Sequence, residues 1–264
     1  MVKMYMDLSW LKERVKERVQ GAKVKGGVRV SMAIQELSTP FPILYDNRTM
    51  PAASLIKLPI MATAFKLYDE GKFDLTAKVK VHDAVEGGSF FYLPKDTEVT
   101  WQEAVFHMIV ESDNTCANML IDEIGMDRIN EEIKRIGLHF TLLQRKMMDF
   151  DAIEQQKENW TSQNDMAVML YLLSQKQWLG PKLDTQMKYI LSCQEDNCIL
   201  PAQLPNYVHV AHKTGELDGI YHDCGIIEKD GAPYICCIMT DGITNQAQTI
   251  SDLSYLARDI YDVM

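Results

Sequence analysis

Apolar positions change their period twice along this chain. From Met1 to Gln20 they recur at helical spacing, with Leu8, Leu11, Val15 and Val19 set between lysines and glutamates, and predict an amphipathic helix. Gly21, Gly26 and Gly27 mark a turn. Residues 28–34 then alternate, with Val28, Val30, Met32 and Ile34 in phase, as in a half-buried strand. A turn at Pro40 and Pro42 leads to a second short strand at 43–45, which closes a hairpin with the first. Asn47 to Ala53 reads as a loop.

From Leu58 to about Gln203 the pattern is mainly helical. Helices are predicted over 55–70, 100–110, 115–123, 127–136, 163–175 and 183–193. Gly87, Gly88, Pro94 and Asp96 punctuate a loop ahead of the second of these. Residues 142–163 show no clear period, and loops of that length in compact domains are usually functional or disordered. The last sixty residues turn β again, over 207–213, 221–227 and 234–240, before a closing helix at about 245–263. Strands at both ends around a helical insert predict an α+β fold, in which one antiparallel sheet is built from the N- and C-terminal segments and the terminal helices pack on it.

Composition narrows the classes. With 264 residues, 47% of them hydrophobic, the chain can bury a full core. A formal net charge of −10 argues against nucleic acid or an anionic membrane as main partner. There is no run of 18 apolar residues to span a bilayer. The N-terminus has neither an apolar signal core nor a small-residue cleavage site, so the expected location is cytoplasmic, or exported if a leader has been removed. Six cysteines, at 116, 193, 198, 224, 236 and 237, show no framework spacing. Cys236 and Cys237 fall on opposite faces of a strand, and Cys193 and Cys198 form no C-x-x-C pair. No cofactor or metal is expected.

Candidate chemistry begins at Ser54 and Lys57. Three apart at the start of an apolar helix, they share one face. A lysine in a dry site is pushed towards the neutral form and can activate a serine hydroxyl. A chain of this size shows about one Ser-x-x-Lys by chance, so the pair decides nothing alone. Two further motifs change that. Ser112-Asp113-Asn114 lies in a loop between helical runs, and Lys213-Thr214-Gly215, followed by Glu216, ends a predicted strand. Each tripeptide is expected by chance only about 0.05 times.

Ser-x-x-Lys, Ser-Asp-Asn and Lys-Thr-Gly in this order form a known signature of serine acyl-transfer enzymes. With Ala53 to Pro59, Gly87-Gly88-Ser89, Met108 to Thr115 and Ala211 to Gly215, the chain resembles the class A β-lactamase family of serine hydrolases over nearly its whole length. The resemblance implies one β-lactamase/transpeptidase-like unit, 1–264, with an α/β lobe at about 1–57 and 205–264. An all-helical lobe at about 58–204 completes it, with the site between them. It implies that Ser54 attacks, Lys57 takes its proton and Ser112 passes a proton to the leaving nitrogen. Asn114, Lys213, Thr214, Gly215 and Glu216 would hold the substrate, Thr214 by its carboxylate, and the N–H groups of Ser54 and Glu216 would form the oxyanion hole. The partner is then a small β-lactam or a related amide or ester.

Two departures qualify the expectation. Aligned on Arg145, the loop places Met147 where efficient family members carry a glutamate that activates the deacylating water. Asp149 and Asp151 are the candidate replacements. No arginine follows the Lys-Thr-Gly strand except Arg258 in the closing helix, and His222 is the alternative carboxylate partner when protonated. Three readings follow: a β-lactamase with slow deacylation, a D-alanyl peptidase-like or esterase-like hydrolase, or a sensor that stays acylated.

Overall fold

The computed structural model describes residues 7–20 and 27–264; the expectations for Met1 to Met6, Gly21 and Gly26 lie outside them. Asp7 caps helix α1 (Leu8–Val15) by accepting from Trp10 N, and a wider turn, Lys16–Gln20, follows. Strands β1 (Arg29–Glu36), β2 (Ile43–Tyr45) and β3 (Thr49–Pro51) lead to a 3₁₀ turn at Ala53–Ile56, which passes directly into α2 (Lys57–Asp69).

The insert then runs through β4 (Lys78–Lys80), β5 (Glu98–Thr100) and α3 (Trp101–Val110), the last opened by a capping box between Thr100 and Glu103. Helix α4 (Asn114–Ile124) is capped by Asp113, and α5 (Met126–Arg135) follows across Gly125. A short α6 (Phe150–Glu154) and β6 (Trp160–Ser162) precede α7 (Gln163–Ser174), capped by Ser162, and α8 (Pro181–Ser192). Strands β7 (His209–Leu217), β8 (Ile220–Glu228) and β9 (Tyr234–Asp241) return to the sheet, and α9 (Gln246–Val263), capped by Asn245, closes the chain.

The five-stranded sheet has the order β2-β1-β9-β8-β7, antiparallel throughout, with Met32 opposite both Tyr45 and Ile238. The strands from the two ends of the chain share one sheet, as the pattern predicted; the N-terminal pair meets the C-terminal three at β1 and β9, and β2 and β7 are the outer strands. One expectation changes: β1 is buried on both faces, not half-buried. Val30, Met32 and Ile34 pack with Leu11 and with Leu253, Leu256 and Ile260 of α9. Ala33, on the other face, joins the core shared with α7 and α8. Adjacent Cys236 and Cys237 divide between these two cores.

Three further differences concern short elements. The loop at 47–53 contains β3, paired with β6, and β4 pairs with β5; three residues are too few to show a period. Strand β7 does not end at Lys213 but continues to Leu217, turning into β8 at Gly219, whose φ is +70°. The stretch 142–163 is ordered around α6 and β6, with Leu142 bridged to Trp160.

Candidate active site

Ser54 stands in the 3₁₀ turn just ahead of α2, and Ala53 before it takes a φ of +45°. Lys57, the first residue of α2, is fully buried. Its Nζ lies 2.9 Å from Ser54 Oγ, 2.6 Å from Ser112 O, 2.7 Å from Asn114 Oδ1 and 3.2 Å from Ser112 Oγ. Burial, reinforced by the charge of Lys213, lowers its pKa well below the usual lysine range. A neutral amine has two N–H donors and one lone pair. The two shortest contacts are to pure acceptors, Ser112 O and Asn114 Oδ1, so in the neutral form the lone pair would be the part of the amine left to face the Ser54 hydroxyl.

Ser112 reaches this point because its backbone is left-handed, with a φ of +59°. Its hydroxyl lies 3.0 Å from Lys213 Nζ as well, and so sits between two lysines. Lys213 also donates to Thr214 O at 2.9 Å. Burial brings its pKa down to about 7, against the opposing pull of Asp196 and Asp223.

Asp113 anchors the motif. It is buried, accepts from Cys116 N at 2.9 Å as the cap of α4, and accepts from Phe90 N at 2.8 Å. Gly88, at a φ of +120°, is required beside it: a Cβ there would fall 2.1 Å from Asp113 Oδ2. Gly215 serves a similar end on β7, where a Cβ would meet Ser54 N and Ala53 Cβ at 3.1 Å. Its absence lets the strand edge approach the serine turn.

These residues open into a cleft of about 470 Å³. Ser54, Gly87, Gly88, Ser112, Asn114 and Thr214 to Glu216 line it, together with Val110, Glu111, Gln194, Glu195 and Asp196. The structure thus brings together Ser54, Lys57, Ser112, Asn114, Lys213, Thr214, Gly215 and Glu216. The sequence reading missed the segment from Gln194 to Asp196, which arrives by tertiary folding and carries no local motif.

The loop after α5 is pinned at several points. Arg145 is buried and pairs with Glu158 at 2.8 Å. Asn159 accepts from Gln144 N and Arg145 N and donates to Arg145 O, and its own carbonyl accepts from Ala52 N at 2.6 Å. Asn118 clamps the backbone of Met147, accepting from its N at 2.7 Å and donating to its O at 3.0 Å. Asn118 lies one helical turn beyond Asn114, on the same face of α4; that spacing was the available signal. Asp149 caps α6 by accepting from Ala152 N at 3.0 Å, and Asp151 is exposed; neither lines the cleft.

His222 is a correction. It is fully buried, with Nε2 donating to Pro51 O at 2.9 Å and Nδ1 accepting from Thr240 N at 3.2 Å. Burial pushes its pKa down to about 4, so it joins β8 to β3 and meets no substrate. Neighbouring Asp223 is buried against His212 Nδ1 at 2.8 Å. Arg258 binds Asp262 within α9. All six cysteines are free thiols.

A family model described as the β-lactamase enzyme family matches residues 11–264. The chain belongs to the β-lactamase enzyme family. As a member it is a serine hydrolase, and its fold is shared widely. It superposes on a β-lactamase from Sphaerobacter thermophilus with a TM-score of 0.87 at 23% identity, over 97% of each chain. An ancestral class A β-lactamase gives 0.86 at 22% identity, over 96% of this chain and 100% of the other. PBP-A, in a leucine-to-glutamate variant captured as its acyl-enzyme with penicillin G, gives 0.86 at 25% identity, over 97% of both chains. No curated protein sequence matches this β-lactamase family member. No helix among its described residues is long and apolar enough to cross a membrane.

Proposed function

We propose that this β-lactamase family member is of the class A type and opens β-lactam or related amide bonds through an acyl-enzyme on Ser54, which it releases slowly. The observation that carries the reading is the buried amine of Lys57, its pKa held well below the usual lysine range, at 2.9 Å from Ser54 Oγ. Lys57 takes the hydroxyl proton as Ser54 attacks the carbonyl. The proton returns to the leaving nitrogen through Ser112, whose hydroxyl lies within 3.2 Å of Lys57 Nζ and 3.0 Å of Lys213 Nζ. Asn114, bound to Lys57 through Oδ1, turns Nδ2 to Glu86 O and fixes the amine's direction. The N–H groups of Ser54 and Glu216 receive the oxyanion. The close approach of Gly215 to Ser54 N supports that pairing, in which one donor is worth about 3 kcal/mol of barrier.

Release of the acyl group needs a base for water. Met147, buried in the core and clamped by Asn118, offers only a thioether. Asp149 is committed to its helix cap and Asp151 faces outward, so the reading assigns them no step. The PBP-A acyl-enzyme with penicillin G supports stable acylation on this scaffold. It also favours a second reading, a penicillin-binding sensor.

The test is intact-protein mass over time with benzylpenicillin, beside product formation. The expected result is an adduct that forms on wild type, is absent in Ser54→Ala and decays slowly. Rapid decay with matching product would remove the slow step, and a label surviving on Ser54→Ala would remove the nucleophile. No adduct at any concentration would move the substrate class to esters or peptides.

A further inference from the structure

Residues 194–200 pass from one core of the protein to the other. At one end Gln194 Nε2 donates to Ile109 O at 3.0 Å and Glu195 N to Val110 O at 3.2 Å, both at the end of α3. At the other end Leu200 is buried in the core under α9. Between them Gln194, Glu195 and Asp196 line the cleft without belonging to any helix or strand, so side-chain bonds must hold them in place.

Those bonds converge on a buried pair that the acylation chemistry does not use. His212 precedes Lys213 on β7, and neighbours on a strand face opposite sides of the sheet. Gly225 stands opposite His212 in the register with β8, and a Cβ there would fall 2.5 Å from His212 Cβ. Asp223, on the same face of β8 as Gly225, lies 2.8 Å from His212 Nδ1 and accepts from Leu200 N at 2.9 Å. His212 Nε2 lies 3.2 Å from Asn197 Oδ1. The Asn197 amide has only this orientation, because its Nδ2 donates to Gln194 O at 3.0 Å and to Glu195 O at 3.1 Å.

Both ring nitrogens therefore face acceptors. A neutral imidazole has one N–H, which would serve one contact and set a lone pair against oxygen at the other. Two N–H groups require the imidazolium, and a buried cation requires the paired anion that Asp223 supplies. We propose that His212 is a positioning residue held as a buried imidazolium, with one N–H on Asp223 and the other on Asn197, fastening the cleft wall to the strand that carries Lys213. The proposal goes beyond acylation of Ser54 and rests on that reading only for its kinetic arm.

The test records nitrogen NMR spectra, at neutral pH, of the protein labelled in its histidine rings. His212→Gln identifies the His212 signals by their loss. In wild type the two ring nitrogens are expected close together in shift, both bearing hydrogen; a widely split pair, one protonated and one bare, overturns the proposal. In Asp223→Asn the amide oxygen keeps Leu200 N and the amide nitrogen donates to Nδ1. A neutral ring then donates from Nε2, and the split pair is expected there with the clamp intact. The kinetic arm follows acylation by benzylpenicillin, read by intact-protein mass across a concentration series. His212→Gln, which reaches one partner at most, is expected to raise the half-saturating concentration about tenfold, with a smaller change in the limiting rate. Asp223→Asn exchanges a neutral ion pair for two neutral groups, so the field at Lys213, to which Asp223 contributes, changes little. Its half-saturating concentration is expected within about twofold of wild type. An unchanged value in His212→Gln, or an equal loss in both variants, overturns the positioning role. Absence of any adduct on wild type would instead remove the Ser54 reading, and the ring spectrum would then decide the proposal alone.

Discussion

At the scale of single residues, the site works by denying water to two amines. Lys57 and Lys213 are both held below the ordinary lysine range by burial, yet the proposed function gives them different tasks: one accepts a proton and the other lends positive charge to Ser112. Lys213, at about 7, is charged at pH 6 and largely neutral by about pH 8.5. Acylation should therefore fall as pH rises through 7. Lys213→Arg, which stays charged, should remove that limb from the rate profile, and a limb that persists in the variant belongs to another group. Deacylation offers a second check. Met147→Glu puts a carboxylate at the end of the Asn118 clamp, and adduct decay should quicken by about a hundredfold; an unchanged rate would detach Met147 from the water's path. Ser54, Lys57, Ser112, Asn114 and Lys213 were legible because their geometry is local or their tripeptides are rare. Asp196 was not, because only the folding of a distant segment onto β7 makes it part of the cleft.

At the scale of elements, caps and staples set the positions of the reacting groups. Gly88 passes so close to Asp113 that a methyl group would overlap its carboxylate. Gly88→Ala should destabilise the protein by about 1–3 kcal/mol, read as a lower denaturant midpoint, and should slow acylation because the cap positions Ser112 and Asn114. A native midpoint would show that the loop yields without cost. His222 joins β8 to β3 and reports on acid. Its pKa is about 4 when folded and 6.5 as the free side chain. Between those values the unfolded chain binds a proton that the native state does not, so stability rises with pH across this window. Its contribution is complete above 6.5 and is lost as pH falls through 4. His222→Gln cannot titrate, and denaturant midpoints measured at about pH 7 and pH 5 should differ less than in wild type. Long helices were legible from their period, and α2, α3, α4, α5, α7 and α8 lie within a few residues of expectation. Of the three-residue strands, β2 was expected at 43–45, whereas β3, β4, β5 and β6 were not, since pairing rather than pattern creates them. Likewise β1 alternates in sequence yet is buried twice over, because whether a second layer covers a face is decided by distant helices.

For the whole molecule, the two cores divide the work. The core under α9 and α1 carries no member of the site, whereas the other packs around α2, α3 and α4. Leu256→Ala, in the first, should cost about 2–5 kcal/mol in chemical unfolding while leaving acylation of the folded protein at its wild-type rate; a parallel loss of acylation would show that the cores are coupled. The architecture was legible as strands from both chain ends around a helical insert, and the order of strands within the sheet was not, because many registers satisfy the same pattern. That order places β7 at the margin of the sheet. An unpaired strand margin invites a second chain to add to it. In this protein α8 packs along β7, the serine turn closes on it at Gly215, and Thr214 to Glu216 line the cleft. The backbone groups that greet a substrate are therefore those that would greet a misplaced strand of another copy. The turn that carries Ser54 and the strand that lines the cleft are therefore held in register by one close approach, and a side chain at Gly215 would move both at once.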